Sequence, residues 1–201
     1  MTTNVYDEVQ RTFCTDSRWS FDIKVQDHLY AILFVDDTGF EKIEGQPDYS
    51  FMFAGNAALI SKWKEWIRAA NKVVLNRPST ADDFAVCMVH TETGKVIFEH
   101  GQKISGSDYR FAGTGAYEAY KCWNSNKNPK KCVESASKVD IYTGGNVMFL
   151  NMKKKASNIS TDADLREINS LTLKKGMIVY MQPTLDKPIT VQEASAKDGN
   201  I

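Results

Sequence analysis

MTTNVYDEVQRTFCTDSR, running from Met1 to Arg18, sets a threonine at the second position and an aspartate within reach of it. Removal of Met1 would make Thr2 an N-terminal residue. Its own α-amine, with a pKa of about 8, would then lie close enough to its hydroxyl to take the proton, directly or through a water. No separate histidine is needed as base. Thr3–Tyr6 and Val9–Cys14 read as two short β runs around a polar break at Asp7 and Glu8, a hairpin that ends in Thr15, Asp16, Ser17 and Arg18. That hairpin would bring Asp16 beside Thr2. Because Met-Thr-Thr is a common start, its meaning depends on the rest of the chain.

Outward from the hairpin, Leu29–Val35 is a continuous apolar run, followed by a turn at Asp36–Gly39 and a returning strand, Phe40–Glu44, that carries Lys42. Tyr49–Ala54 reads as a buried strand running into Gly55. Asn56 can cap a helix whose Leu59, Ile60, Trp63, Trp66, Ile67 and Ala70 recur at helical spacing, with Lys62, Lys64, Glu65 and Arg68 opposite. Two tryptophans at that spacing read as core rather than as a ligand cage. Arg77-Pro78-Ser79-Thr80 closes the helical region. Phe84–His90 and Lys95–His100 alternate around Glu92-Thr93-Gly94 and predict a hairpin. Ile104–Phe111 leads to Ala112-Gly113-Thr114-Gly115 and a second helix bearing Ala116, Ala119, Tyr120 and Trp123, broken at Asn124–Asn128.

Asn128 followed by Pro129 predicts a third helix, with Cys132, Val133 and Ala136 on its buried side. Asp140–Leu150 reads as a strand. Ser160–Leu165 can cap a short helix, and Leu171–Leu173, Met177–Gln182 and Ile189–Gln192 read as strands. Strands alternating with groups of helices predict an α+β domain of mainly antiparallel sheets with helices outside them.

A chain of 201 residues, 42% of them hydrophobic, suits one domain. With 25 basic and 25 acidic residues the net charge is zero, which removes the electrostatic reason to expect a nucleic-acid or anionic-membrane partner. Lys153-Lys154-Lys155 reads as a solvated turn or strand end. No apolar run is long enough to span a bilayer and no basic-then-apolar leader opens the sequence, so the expectation is a soluble, cytoplasmic protein. Cys14, Cys87, Cys122 and Cys132 lie on separate segments without a CxxC pair, and read as buried, reduced thiols. His28, His90 and His100 share no ligand spacing, so neither a metal nor a cofactor is expected.

Four segments then occur in one order. Cys14-Thr-Asp-Ser-Arg-Trp-Ser20 resembles the Ala-x-Asp-Ser-Arg-x-Thr segment of proteasome β subunits and their HslV-type relatives. Phe53-Ala-Gly-Asn56 before a helix is similar to their Met-Ala-Gly-Gly. Phe111-Ala-Gly-Thr-Gly115 is similar to their Gly-Ser-Gly segment, and Asp140-Ile-Tyr-Thr-Gly-Gly145 to Asp-x-Tyr-Ser-Gly-Gly. Those proteins are N-terminal-nucleophile (Ntn) hydrolases. The resemblance covers roughly residues 2–151 and implies a four-layer αββα sandwich of two antiparallel sheets flanked by helices, with residues 152–201 a C-terminal extension on the same domain, its last residues flexible.

It also implies roles. Thr2 would be the nucleophile, Lys42 an ammonium favouring its alkoxide, and Asp16 the carboxylate holding that lysine protonated and oriented. Gly55 would give a backbone N–H to the oxyanion, and Thr114, Asp140 and Thr143 would support the N-terminal amine, threonine standing where serine is usual. Trp19, Ser20, Phe53 and Ala57 would line the substrate groove, with Phe53 at the pocket base favouring small or short apolar side chains. Read singly, Lys42 is also a surface ammonium on a strand end, Gly55 a plain strand-to-helix turn, and Phe53 a core residue. The implied activity is a threonine amide hydrolase acting on a peptide or protein. A catalytically silent binding protein and a small-molecule amidase remain open alternatives. The short segment Asn71–Asp83 and the portion from about Met152 fall on surfaces that such subunits use for assembly, which speaks against a standard ring and leaves a homo-oligomer open.

Overall fold

The opening hairpin forms with its turn later than the apolar pattern predicts. Its strands are β1 (Thr3–Asp7) and β2 (Thr12–Asp16), joined across Glu8–Arg11. Asp7 fixes the turn: its carboxylate accepts from the Gln10 backbone N–H and from Gln10 Nε2, both at 2.8 Å. Val9 is thereby turned out of the strand and left 68% exposed. The computed structural model describes residues 2–25, 28–69, 77–159, 163 and 165–181.

β1 and β2 are the centre of a six-stranded antiparallel sheet, completed on one side by β11 (Val147–Asn151) and β12 (Ala156–Ser157) and on the other by β10 (Tyr109–Gly113) and β9 (Ile104–Ser105). Asn4 stands opposite Thr15, Thr3 opposite Gly113, and Val147 opposite Asp16. All five residues of each hairpin strand are buried, because both sheet faces are covered. Val5, Cys14 and Phe111 face α2 (Ala116–Asn126) and α3 (Pro129–Ala136), packing with Ala119, Trp123, Cys132 and Val133. Tyr6 and Phe13 face the other way, onto Ile43, Met52, Cys87 and Val89.

Those four belong to the second sheet, β5 (Ile43–Gly45), β6 (Tyr49–Gly55), β7 (Phe84–His90) and β8 (Val96–His100), in that order. Its far face, Phe51, Phe53, Phe84, Val86 and Met88, packs on Ile60, Trp63 and Ile67 of α1 (Ala57–Arg68). Alternation on β6 thus divides Met52 from Phe51 and Phe53 as strand geometry requires. Helices, sheet, sheet, helices is the αββα sandwich. At one end Ala54, Ala85 and Ala112 touch across the two sheets.

Several local expectations are corrected. A third sheet, β3 (Trp19–Val25), β4 (His28–Val35) and β13 (Met177–Met181), is present in the order β13-β4-β3. β4 therefore does not return into Phe40–Glu44: β5 begins only at Ile43 and pairs with β6, and Lys42 lies just ahead of it in an irregular segment. Only Val147–Asn151 of the expected Asp140–Leu150 strand is extended, since Asp140 caps a turn by accepting from Tyr142 N at 3.2 Å. Leu171–Leu173, expected as a strand, is helical within α4 (Leu165–Lys175), where Ile168 is fully buried against the α1 core and Leu165 and Leu171 pack beside it. Lys64, expected on the polar face of α1, is 1% exposed, its Nζ 4.6 Å from the centroid of the Phe40 ring and 4.0 Å from Glu44. Ala70, residues 71–76, most of Ser160–Asp164 and Ile189–Gln192 lie outside the described residues. Cys14, Cys87 and Cys132 are buried and Cys122 half-buried, all free thiols.

Candidate active site

Thr2 precedes β1, Asp16 ends β2 and Lys42 precedes β5, and the hairpin register together with the stacking of the two sheets brings all three to one point. Lys42 Nζ donates to Thr2 Oγ1 at 2.8 Å, to Asp16 Oδ2 at 3.1 Å, and to the Arg18 carbonyl oxygen. Its three protons have three acceptors. The Thr2 hydroxyl donates to Asp16 Oδ1, and Thr15 Oγ1 lies 3.4 Å away, itself donating to Asn4 Oδ1 at 2.7 Å. Asp16 also accepts from the backbone N–H of Thr3 at 2.8 Å, of Arg18 at 3.2 Å and of Gly144 at 3.4 Å.

Thr2, Asp16 and Lys42 are 1%, 1% and 2% exposed, so Lys42 is no surface ammonium. Burial pushes its pKa below the ordinary lysine value. Asp16, by charge and hydrogen bond, and then Asp36 and Glu41 oppose the shift without reversing it. Asp16, expected to hold the lysine protonated and oriented, does favour the ammonium by charge and hydrogen bond, while burial acts more strongly in the other direction.

The neighbouring threonine joins a different network. Thr3 Oγ1 is 2.6 Å from Thr143 Oγ1, whose hydroxyl donates to Asp140 Oδ2 at 2.6 Å, as does Thr114 Oγ1 at 2.6 Å. Thr114, Asp140 and Thr143 are thus brought together as one network. It reaches the chain at Thr3, one residue beyond Thr2.

Gly55 has φ +99°, and a Cβ there would collide with the Asp83 carbonyl oxygen, so the strand-to-helix turn alone requires glycine. Its neighbour Ala54 touches Ala112, and Gly113 (φ +87°) has no room for a Cβ against the Thr2 carbonyl. Gly55 therefore stands at the end of the sandwich that holds Thr2. Trp19 is buried, donates from Nε1 to the Phe40 carbonyl at 3.0 Å, and has Lys42 Nζ 5.0 Å from its ring centroid. Ser20 and Ala57 are half-buried. Phe53 is 0% exposed, its ring about the rings of Phe51, Trp63 and Phe84, which is the surrounding of a core side chain.

A cavity of about 580 Å³ lies elsewhere, between the Asp37–Glu41 segment, Lys130 and Glu134 of α3, and the start of β11; Thr2 and Lys42 do not line it. Residues that the sequence did not single out are Thr15, Asn4, Asp36, Gly113 and Gly144, together with the Arg18 backbone. Of these, Thr15, Arg18, Gly113 and Gly144 had a signal, as members of the four segments of the resemblance. Among the described residues no cluster of His, Cys, Asp or Glu is placed to hold a metal ion, and no helix is long and apolar enough to cross a membrane.

No protein-family model matches the chain and no curated protein matches its sequence. Solved structures do. HslV from Trypanosoma brucei is similar at 14% identity and a TM-score of 0.43, over 74% of this chain and 97% of that one. BPH from Thiobacillus denitrificans, in complex with epoxomicin, is similar at 11% identity and 0.48, over 74% and 96%. A Gly-1 mutant of Anbu from Hyphomicrobium sp. strain MC1 is similar at 10% identity and 0.47, over 86% and 94%.

Proposed function

We propose that the chain is an N-terminal threonine amide hydrolase of the proteasome and HslV type, cleaving peptide amides through an acyl-enzyme on Thr2 once the residue ahead of Thr2 is removed. The observation that carries this reading is Lys42 Nζ at 2.8 Å from Thr2 Oγ1, with Asp16 hydrogen-bonded to both. Oγ1 attacks the substrate carbonyl, and its proton passes to an adjacent amine, for which the Lys42 side chain, 2.8 Å from Oγ1, is the candidate. The oxyanion is met by a main-chain N–H, for which Gly55 is the candidate. The proton then goes to the leaving amine, an ester on Oγ1 remains, and water activated by the free α-amine hydrolyses it.

Burial of Thr2, 1% exposed, favours a second reading, in which the chain binds a partner and turns nothing over. Steady-state hydrolysis of short fluorogenic peptides separates the two. Protein beginning at Thr2 is expected to cleave, and Thr2→Ala to lose cleavage entirely. No hydrolysis of any peptide by protein with a proven free Thr2 would support binding without turnover, and because Phe53 lies in the core its expected place at the base of a substrate pocket is withdrawn.

A further inference from the structure

Arg18 belongs to the site through its backbone and leaves it through its side chain. Its N–H donates to Asp16 Oδ2 at 3.2 Å and to Gly144 O at 3.2 Å, and its carbonyl accepts one proton of the Lys42 ammonium. The guanidinium, 15% exposed, takes a fork grip on Asp36: Nε donates to Oδ1 at 2.8 Å and Nη2 to Oδ2 at 3.0 Å. Nη1 donates to the Ile141 carbonyl at 3.0 Å, and the guanidinium carbon sits 3.7 Å from the centroid of the Phe34 ring. A Cβ at Gly144 would collide with this guanidinium. One residue thereby ties the β2–β3 turn to the end of β4 and to the 141–144 loop.

We propose that the Arg18–Asp36 pair is a positioning device for Lys42: the fork fixes the Arg18 carbonyl against the ammonium, and the balance of the two charges sets the field in which that ammonium gives up its proton. The inference rests on Thr2 as nucleophile with Lys42 as its proton acceptor. The charged groups that act on Lys42 are Asp16 from β2 and Asp36 and Glu41 from the segment between β4 and β5; Arg18 meets Lys42 with its carbonyl oxygen and places its guanidinium on Asp36. Removing either member of the pair breaks the same ion pair, so a scaffold role predicts the same change for both. A charge-setting role predicts opposite ones. Without Arg18 the unpaired Asp36 carboxylate holds the Lys42 proton more tightly, whereas without Asp36 the unpaired guanidinium repels it.

The test is a titration of Lys42 by NMR in selectively labelled lysine protein, the signal assigned by its loss in Lys42→Arg. Arg18→Met should raise the midpoint and Asp36→Asn should lower it, each by about one pH unit. Arg18→Lys, which keeps the charge and loses the fork, should leave the midpoint near wild type while slowing modification of Thr2 by a peptide boronate about tenfold or more. Midpoints that move in the same direction, or do not move, overturn the proposal. Should Arg18→Met fail to fold, Asp36→Asn decides alone, a downward shift supporting it and an unchanged midpoint overturning it. Absence of boronate modification in wild-type protein would sink the nucleophile reading instead, because the titration does not depend on turnover.

Discussion

Lys42 holds an ammonium with every proton donated, in a place where burial weakens its hold on one of them. The sign of the pH dependence follows. The folded lysine lies below its unfolded value of about 10.4, so the neutral amine proposed to accept the Thr2 proton would appear as pH rises through the folded pKa and be lost as pH falls through it. Acylation of Thr2 should therefore quicken from neutral toward alkaline pH. Lys42→Arg, which keeps a cation that does not deprotonate in proteins, should be as inactive as Lys42→Ala; activity retained in Lys42→Arg, measured by single-turnover acylation, would leave the residue only an electrostatic part. Because the Lys42–Asp16 pair is 2% exposed on each side, Lys42→Ala also strands a buried carboxylate and should cost about 3 kcal/mol in urea unfolding, more than a surface lysine would. Thr2 and Asp16 were legible in the sequence because a short hairpin fixes their proximity. Lys42 was legible only through a family resemblance, since it lies on no element of its own. Asp36 was not legible, because the contact that makes it relevant is the Arg18 fork across two chain segments.

The helices announced by a capping asparagine, α1 after Asn56 and α3 after Asn128, formed where the cap placed them. Asn56 accepts from the backbone N–H groups of Ala58 and Leu59 at 3.0 and 3.2 Å and starts α1, so Asn56→Ala should lower stability by about 1 kcal/mol. Gly55→Ala should cost more, about 2 kcal/mol, because a Cβ meets the Asp83 carbonyl at a positive φ; equal stabilities for the two variants in chemical denaturation would contradict that ranking. Elements set by tertiary contact were less legible. Leu171–Leu173 alone looks like a short strand, and its helical state is decided by Ile168 entering the α1 core one turn earlier. Lys64 looks like a solvated lysine until Glu44, shared with Arg68 at 2.8 Å, is seen beside it. Asp7 moved the hairpin turn by capping Gln10, a side-chain effect that apolar alternation does not register.

At the scale of the whole molecule, two sheets packed face to face between helix layers put the hairpin's open end, the segment before β5 and the β6–α1 turn at one edge of the sandwich. The α+β class followed from the alternation of strand and helix groups and the four layers from the resemblance, whereas the third sheet followed from neither, since β13 lies far along the chain from the β3–β4 pair it joins. We propose that α4 belongs to the same cooperative unit as the sandwich, on the ground that Ile168 is buried against the α1 core. Ile168→Ala should then cost about 3 kcal/mol and leave a single unfolding transition. The central claim is chemical: the Thr2 hydroxyl, once its amine is free, is a nucleophile. Intact-mass spectrometry with peptide mapping, on protein shown to begin at Thr2 and treated with a β-lactone, tests it most directly. The account predicts one adduct, on Thr2, absent from Thr2→Ala; a wild-type protein that stays unmodified, or a Thr2→Ala protein labelled as well as wild type, would contradict it.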